Sequence, residues 1–287
     1  MTARYKPDDI VRRVHTVSSL PAVFQRVNEV ANHPHSSLSD VAAVISEDVG
    51  LSARLLRLVN SAFYGFPQRI ESITHACIIV GTHQIRQLAM ATSVMEVFRS
   101  LDPDVLDMQH FWRHSIGCAM IARGLAVRLG ESDIERFFIA GLLHDIGRLV
   151  LLHVIPEEAA DLITTARTSP DRTLLQIEQD VIGFSHAELG GTLLTNWNLP
   201  PALVNPVRYH HTPMRCGLYP REAAITHWSD VIGHAMDFGD SGTPYVSNGS
   251  PEAWDSLGLD VEAIEPVTED VRNQLDDVVC FFYGDET

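Results

Sequence analysis

Histidines and carboxylates recur along this chain in an order suited to metal ligation: His114, then His144-Asp145, His186, His210-His211 and finally Asp230. The chain holds 14 His, but these stand at the ends of predicted elements or on otherwise apolar helical faces. At the centre of the set lies Gly141-Leu-Leu-His144-Asp145-Ile-Gly147-Arg148. Adjacent His and Asp, held in an apolar helix that meets glycine, put an imidazole and a carboxylate within reach of one cation. A hydrolytic metal centre needs several such groups converging, with a coordination position left open for water. Mixed His/Asp ligation suits Fe, Mn, Zn or Mg and does not choose among them; Fe, Mn or Zn are the expected ions. The set has room for two. Asp145 would bridge, with His114, His144 and Asp230 on one ion and His186, His210 and His211 on the other. Paired ions of this kind lie about 3.5–4 Å apart and clamp both oxygens of a phosphoryl displacement.

Each residue also has a bland reading. His114 reads as a hydrogen-bonded core histidine, His186 as a surface residue at a helix start, and His210-His211 as a wet helix terminus. Asp230 reads as half of a buried ion pair with an arginine, and His227 and His234 are near enough in sequence to replace it as ligands. His110, one turn before His114, reads as surface packing or as an extra ligand. Seven residues falling in this order outweigh the separate bland readings. Arg148 can steady a phosphate or pair with a carboxylate; in an enzyme, Asp145 and Arg148 are the catalytic candidates. Nothing supports nucleophilic catalysis, and there is no glycine-rich phosphate loop.

The elements that must position these residues read almost throughout at helical period. Val23, Val27 and Val30 share a face over residues 21–32, with Pro21 in the first turn and Pro34 just past the end. Helices follow over 38–46, from Leu51 to the Asn60-Ser61 stop, over about 72–80, and from there through Phe98. Leu101-Asp-Pro-Asp104 is a hinge candidate. Asp107 is placed to cap a helix reaching about Leu129, on which His114, Cys118, Ile121 and Leu125 share a face. Residues 133–152 form one very apolar helix around His144-Asp145. Ser185-His-Ala-Glu188 is a capping box that sets His186 in the first turn of a helix running to Trp197. Pro200-Pro201 opens another, ending in His210-His211, and a helix over about 222–238 carries Asp230. Ser241 to Pro251 reads as a loop, and Thr268 is placed to cap a last helix with Val271, Leu275, Val278 and Phe282 inward. The expectation is an all-α fold: an N-terminal helical lobe (1–100) packed on a second helical lobe (101–240), with an acidic extension (241–287).

The 45% hydrophobic content is that of a folded domain. A run of about 18 apolar residues is not evident, so no membrane span is expected. The N-terminal residues lack the apolar core of a signal peptide. Cys77, Cys118, Cys216 and Cys280 are scattered, which points to a reducing cytoplasm. A net charge of -16 argues against binding nucleic-acid backbones. Residues 241–287 hold eleven acids against Arg272 alone, so -10 of it lies in the extension.

Beyond these patterns the sequence resembles a known family. Leu20-Pro-Ala-Val, the run from Ile45 through Asn60-Ser-Ala-Phe-Tyr-Gly65-Phe-Pro67, and Ile70 through Leu88 are similar to the HDOD domain, an HD-related output domain of bacterial signalling. Trp112-Arg-His-Ser, Gly141 through Gly147, His186-Ala-Glu-Leu-Gly-Gly, Trp197-Asn-Leu-Pro-Pro and His210-His211 continue the match over roughly residues 15–240. The resemblance implies an N-terminal helical lobe and an HD-type lobe. It also implies a regulatory role through other signalling proteins, with self-association open, since most HDOD proteins are seen as non-catalytic and have lost HD ligands. This chain departs from that pattern by its completeness. The seven candidates fall where the related HD-GYP cyclic dinucleotide phosphodiesterases keep their ligands. It departs from HD-GYP as well: Thr212 through Pro220 lacks the Glu and the Asp-Gly-x-Gly-Tyr-Pro loop, and Arg148 stands for the usual Lys. The expectation is therefore a signalling module with a retained metal site. A metal-dependent phosphohydrolase acting on a cyclic nucleotide or nucleotide phosphate is the alternative.

Overall fold

The computed structural model describes residues 5–13, 22–33, 35–99, 101, 104–243 and 245–283. Among these residues all regular structure is helical. In chain order the helices are α1 (Pro7–Arg13), α2 (Ala22–Asn32), α3 (Leu38–Ser46), α4 (Val49–Val59), α5 (Ile73–Ile79), α6 (Thr82–Val97), α7 (Met108–Arg128) and α8 (Ile134–Leu143). They continue as α9 (Ile146–Val154), α10 (Pro156–Thr168), α11 (Leu174–Val181), α12 (His186–Asn196), α13 (Pro201–Tyr209), α14 (Pro220–Ala235), α15 (Pro251–Leu257) and α16 (Ile264–Tyr283). The fold is all-α, as the periodicity implies. Leu20, Pro21, Pro34 and residues 102–103 of the expected hinge lie outside the described residues.

The chain forms two compact units, one of residues 1–18 and 101–271, the other of 19–100 and 272–287. This grouping differs from a linear division at 100 and 240. Helix α1 joins the later unit because its Ile10 and Val11 are buried where it packs on α9 and α12. Residues 241–271 belong to that unit too, with Trp254 of α15 edge-on to Trp228 of α14 at 5.1 Å between centroids. They are not a separate extension.

In the unit of residues 19–100 and 272–287, Ser37 and Asp40 form a capping box at α3 and Asp48 caps α4. Each cap satisfies an N–H that the first turn leaves without a partner. Asn60 stops α4 and holds the following loop. Its amide donates to the Leu56 and Ile70 carbonyls while its Oδ1 accepts from Ile70 N–H. The Asn-Ser-Ala-Phe-Tyr block thus has a structural use of its own.

In the other unit, α7 packs on α8 and α14, and α12 packs on α9 and α13. Asp107 caps α7 through the His110 N–H, and the capping box of Ser185 and Glu188 starts α12. The apolar stretch expected as one helix over 133–152 is instead α8 and α9, broken between them at His144-Asp145. Taken together, Ile134–Val154 is long and apolar enough to cross a membrane by length and composition, but 89% of its most apolar window is buried inside the protein. It is core. Two glycines flank the break. A Cβ on Gly141 would lie 2.8 Å from the Ala119 Cα of α7, and one on Gly147 would fall on the His186 carbonyl of α12. Backbone therefore meets backbone on both sides of His144-Asp145, which clamps the pair in place.

Candidate metal centre

The seven candidates meet inside the unit that holds α7 to α14. His114, His144 and Asp230 gather with Cys118 in one group, and Asp145, His186, His210 and His211 in a second. Within each group the ligand-type atoms lie within 4.8 Å of one another. His114, His144, Asp145, His186 and His210 are fully shut off from solvent, Asp230 nearly so, and His211 is half-buried.

Three imidazoles are aimed by their outer nitrogens. His144 Nδ1 lies 2.7 Å from the Gly141 carbonyl, one turn back at the end of α8. His210 Nδ1 lies 2.7 Å from the Val207 carbonyl at the end of α13. His186 Nδ1 lies 2.7 Å from the Glu178 carboxylate, which also accepts the His186 backbone N–H at 2.9 Å. A carbonyl or carboxylate can only accept, so each Nδ1 carries a proton and each Nε2 is left to face the centre. Metal-bound histidines are held in this way by their outer partners.

Several of the inward atoms meet without making hydrogen bonds. His144 Nε2, His210 Nε2 and both Asp145 oxygens are buried and have no hydrogen-bond partner. Yet His144 Nε2 is 3.3 Å from Asp145 Oδ2 and 3.5 Å from Asp230 Oδ1. Asp145 Oδ1 is 3.1 Å from His186 Nε2 and 3.7 Å from His210 Nε2. His186 Nε2, its proton being on Nδ1, instead accepts a hydrogen bond from His211 Nε2 at 2.9 Å. Lone pairs left facing one another in the dark are costly unless a proton or a cation sits among them. This donor set fits divalent metal, and both groups can hold it.

Charge in the centre points the same way. Burial opposes ionisation of Asp145, yet Arg148 and His144 outweigh it and hold its carboxyl well below the usual range. Asp230 is likewise held low against burial, by His234 and His114. Burial works against a charged His144 too, but the two carboxylates raise it to about 10. The carboxylates draw positive charge into the centre, and a metal ion can take the place of that proton.

His227 is consumed by the structure: its Nδ1 bonds the His210 carbonyl at 2.7 Å and its Nε2 accepts Ser250 N–H at 2.9 Å. His234 stands 3.3 Å from Asp230 Oδ1, beside the first group. His110 is exposed and pairs with Asp107 at 3.2 Å, away from the centre. Arg148 pairs with Asp145 at 3.0 Å and donates to the carbonyl and hydroxyl of Ser241. A cavity of about 570 Å³ opens here, lined among others by Arg148, Arg172, His211, Asp230 and His234. Glu178 and Cys118 were not singled out as site residues from sequence. Glu178 lies on α11, which apolar periodicity alone does not mark. Cys118 had a signal in its shared face with His114.

An uncharacterized protein of Treponema pallidum is 33% identical over 205 residues, which is 70% of this chain and 39% of that protein. This chain therefore spans well under half the length of that relative. A provisionally named phosphohydrolase from Shewanella amazonensis SB2B has a similar fold, with a TM-score of 0.73 at 24% identity over 96% of this chain and 97% of its own. An HDOD domain protein of unknown function from Geobacter sulfurreducens also gives 0.73 at 24% identity, covering 92% of this chain and 91% of its own. The HDOD domain model matches residues 17–213, from α2 through the second histidine group, and on that match the chain belongs to the HDOD family.

Proposed function

We propose that this chain is a regulatory HDOD module of bacterial signal transduction that acts through other signalling proteins and keeps an HD-type metal centre of one or two divalent ions. The observation that carries the metal half of this reading is the set of buried Nε2 and carboxylate atoms that lack a hydrogen-bond partner and converge on common points. Its ligands would be His114, His144 and Asp230 for one ion and His186, His210 and His211 for the other, with Asp145 between them. Fe, Mn or Zn suits these donors. Support for regulation over turnover comes from family membership and from Arg148. Arg148 is tied to Asp145 and Ser241, so it is engaged within the protein rather than held ready for a substrate.

A second reading, a metal-dependent phosphohydrolase, is favoured by the cavity that opens on His211, Asp230 and Arg172. When bound, divalent ions supply Lewis-acid chemistry to a phosphoryl group. Arg148 and Arg172, each released from its carboxylate partner, would then orient the phosphate.

Elemental analysis of untagged protein, purified without chelator beside Asp145→Ala, tests the shared half. One to two equivalents of Fe, Mn or Zn, lost in the variant, are expected. A well-folded parent free of metal, which also fails to take up added Fe, Mn or Zn, would overturn it. A panel of cyclic nucleotides and nucleotide phosphates then separates the two readings: metal-dependent turnover abolished in Asp145→Ala would displace the regulatory one.

A further inference from the structure

We infer that Cys118 is a fourth protein ligand of the first metal position, making it a mixed His/Cys/His/Asp site unlike its all-N/O neighbour. The inference rests on the metal reading above and goes beyond it by assigning the thiol. Three observations carry it. Cys118 lies one helical turn after His114 on α7, fully buried, and its Sγ is 3.5 Å from His114 Nε2, the same nitrogen that meets Asp230 Oδ1 at 3.2 Å. The ligand-type atoms of His114, Cys118, His144 and Asp230 all fall within 4.8 Å of each other. Of these, His144 Nε2 is a buried nitrogen with no hydrogen-bond partner, pointed into the group. The facing helix leaves room for sulfur: a Cβ on Gly233 of α14 would sit 2.7 Å from Cys118 Sγ, so any larger residue there would crowd the thiol.

The chemistry follows from the donor types. Coordination deprotonates a thiol outright, so Sγ–H gives its proton to solvent as the sulfur–metal bond forms. A soft thiolate beside two imidazoles and one carboxylate favours Zn or Fe over Mg or Mn at this position. The second group, with Asp145 and three imidazoles, carries no sulfur and has no such bias. The two positions should therefore differ in affinity and in metal preference.

The competing use of Cys118 is a thiol that packs the core and donates weakly to His114. Cobalt(II) distinguishes the two, because cobalt bound to thiolate shows an intense near-ultraviolet charge-transfer band and cobalt bound to His and Asp alone does not. The metal-stripped chain of 287 residues is titrated with Co(II) beside Cys118→Ser and Cys118→Ala, with circular dichroism as the check of fold. The expected result is a charge-transfer band in the parent that saturates with the first equivalent and is absent from both variants. Cobalt should still bind the variants, at least about tenfold more weakly at that position, since loss of even an outer partner costs that much. Cobalt uptake by the parent without the band would overturn the inference while leaving the metal reading intact. A parent that takes up no cobalt, zinc or iron would overturn both. The parent's own spectrum decides the matter even if a variant fails to fold.

Discussion

At the scale of single residues, Glu178 tests whether the second histidine group is built for metal. Its buried carboxylate accepts hydrogen bonds from both the Nδ1–H and the backbone N–H of His186, and so fixes the ring through two bonds. An outer carboxylate of this kind also makes the ligating nitrogen more basic. Glu178→Gln keeps the shape and an acceptor oxygen but loses the charge. We expect Zn affinity, measured against a competing chromophoric chelator, to weaken about 10- to 100-fold with the helical spectrum unchanged. An unchanged affinity would mean that His186 holds no ion. The reach of sequence reasoning ends at this residue for a physical reason. The seven candidates were legible because His and Asp on apolar faces are conspicuous. Glu178 is one acid among 37 Asp and Glu, and only burial against His186 distinguishes it.

At the scale of elements, the break between α8 and α9 matters more than either helix. Apolar periodicity runs unbroken through His144-Asp145, so the sequence reads as one helix; the turn there is set by tertiary clamping, which no local propensity records. Likewise apolar periodicity does not mark α10 or α11, although Thr173 and Gln176 form a capping box at the start of α11. The caps at Asp107 and Ser185 were legible because the bonding residues are neighbours in sequence. Thr268 was misread as a cap: it lies inside α16, and its hydroxyl donates to the Glu265 carbonyl. Glycine substitutions test the clamp. Gly147→Ala places a methyl on the His186 carbonyl, where backbone cannot yield cheaply. Urea unfolding should show a loss at or above the overpacking range of about 1–3 kcal/mol, together with weakened metal binding. Gly217→Ala, which meets nothing within 4 Å, should stay within about 0.5 kcal/mol of the parent. Equal behaviour of the two variants would remove the clamp from the account of the site.

At the scale of the molecule, a linear reading cannot foresee that the chain returns, so that residues 1–18 and 241–271 share a unit with the metal centre. That unit gathers histidines whose protons are displaced in opposite directions, and the stability of the metal-stripped protein must record the difference. Burial, aided by His234, lowers His114 to about 4, and burial, aided by His144, lowers His210 to about 3. Unfolded, both titrate near about 6.5. Below that pH the unfolded chain takes up protons that the folded one refuses, so stability falls as pH drops, by about 1.4 kcal/mol per pH unit for each such histidine. His144 runs the other way. Raised to about 10, it is charged when folded and neutral when unfolded above about 6.5. Its contribution is complete below that pH and is lost as the pH climbs toward about 10. Stability of the stripped protein should therefore peak near about pH 6.5, seen by urea unfolding at about pH 5, 6.5 and 8.5. His210→Gln should flatten only the acid limb. Saturating Zn should raise stability most at the alkaline end, because bound metal takes over the charge that His144 otherwise supplies and no longer competes with protons. A stability that rises steadily from about pH 8.5 down to 5 would show that these histidines are not shut inside the fold as described.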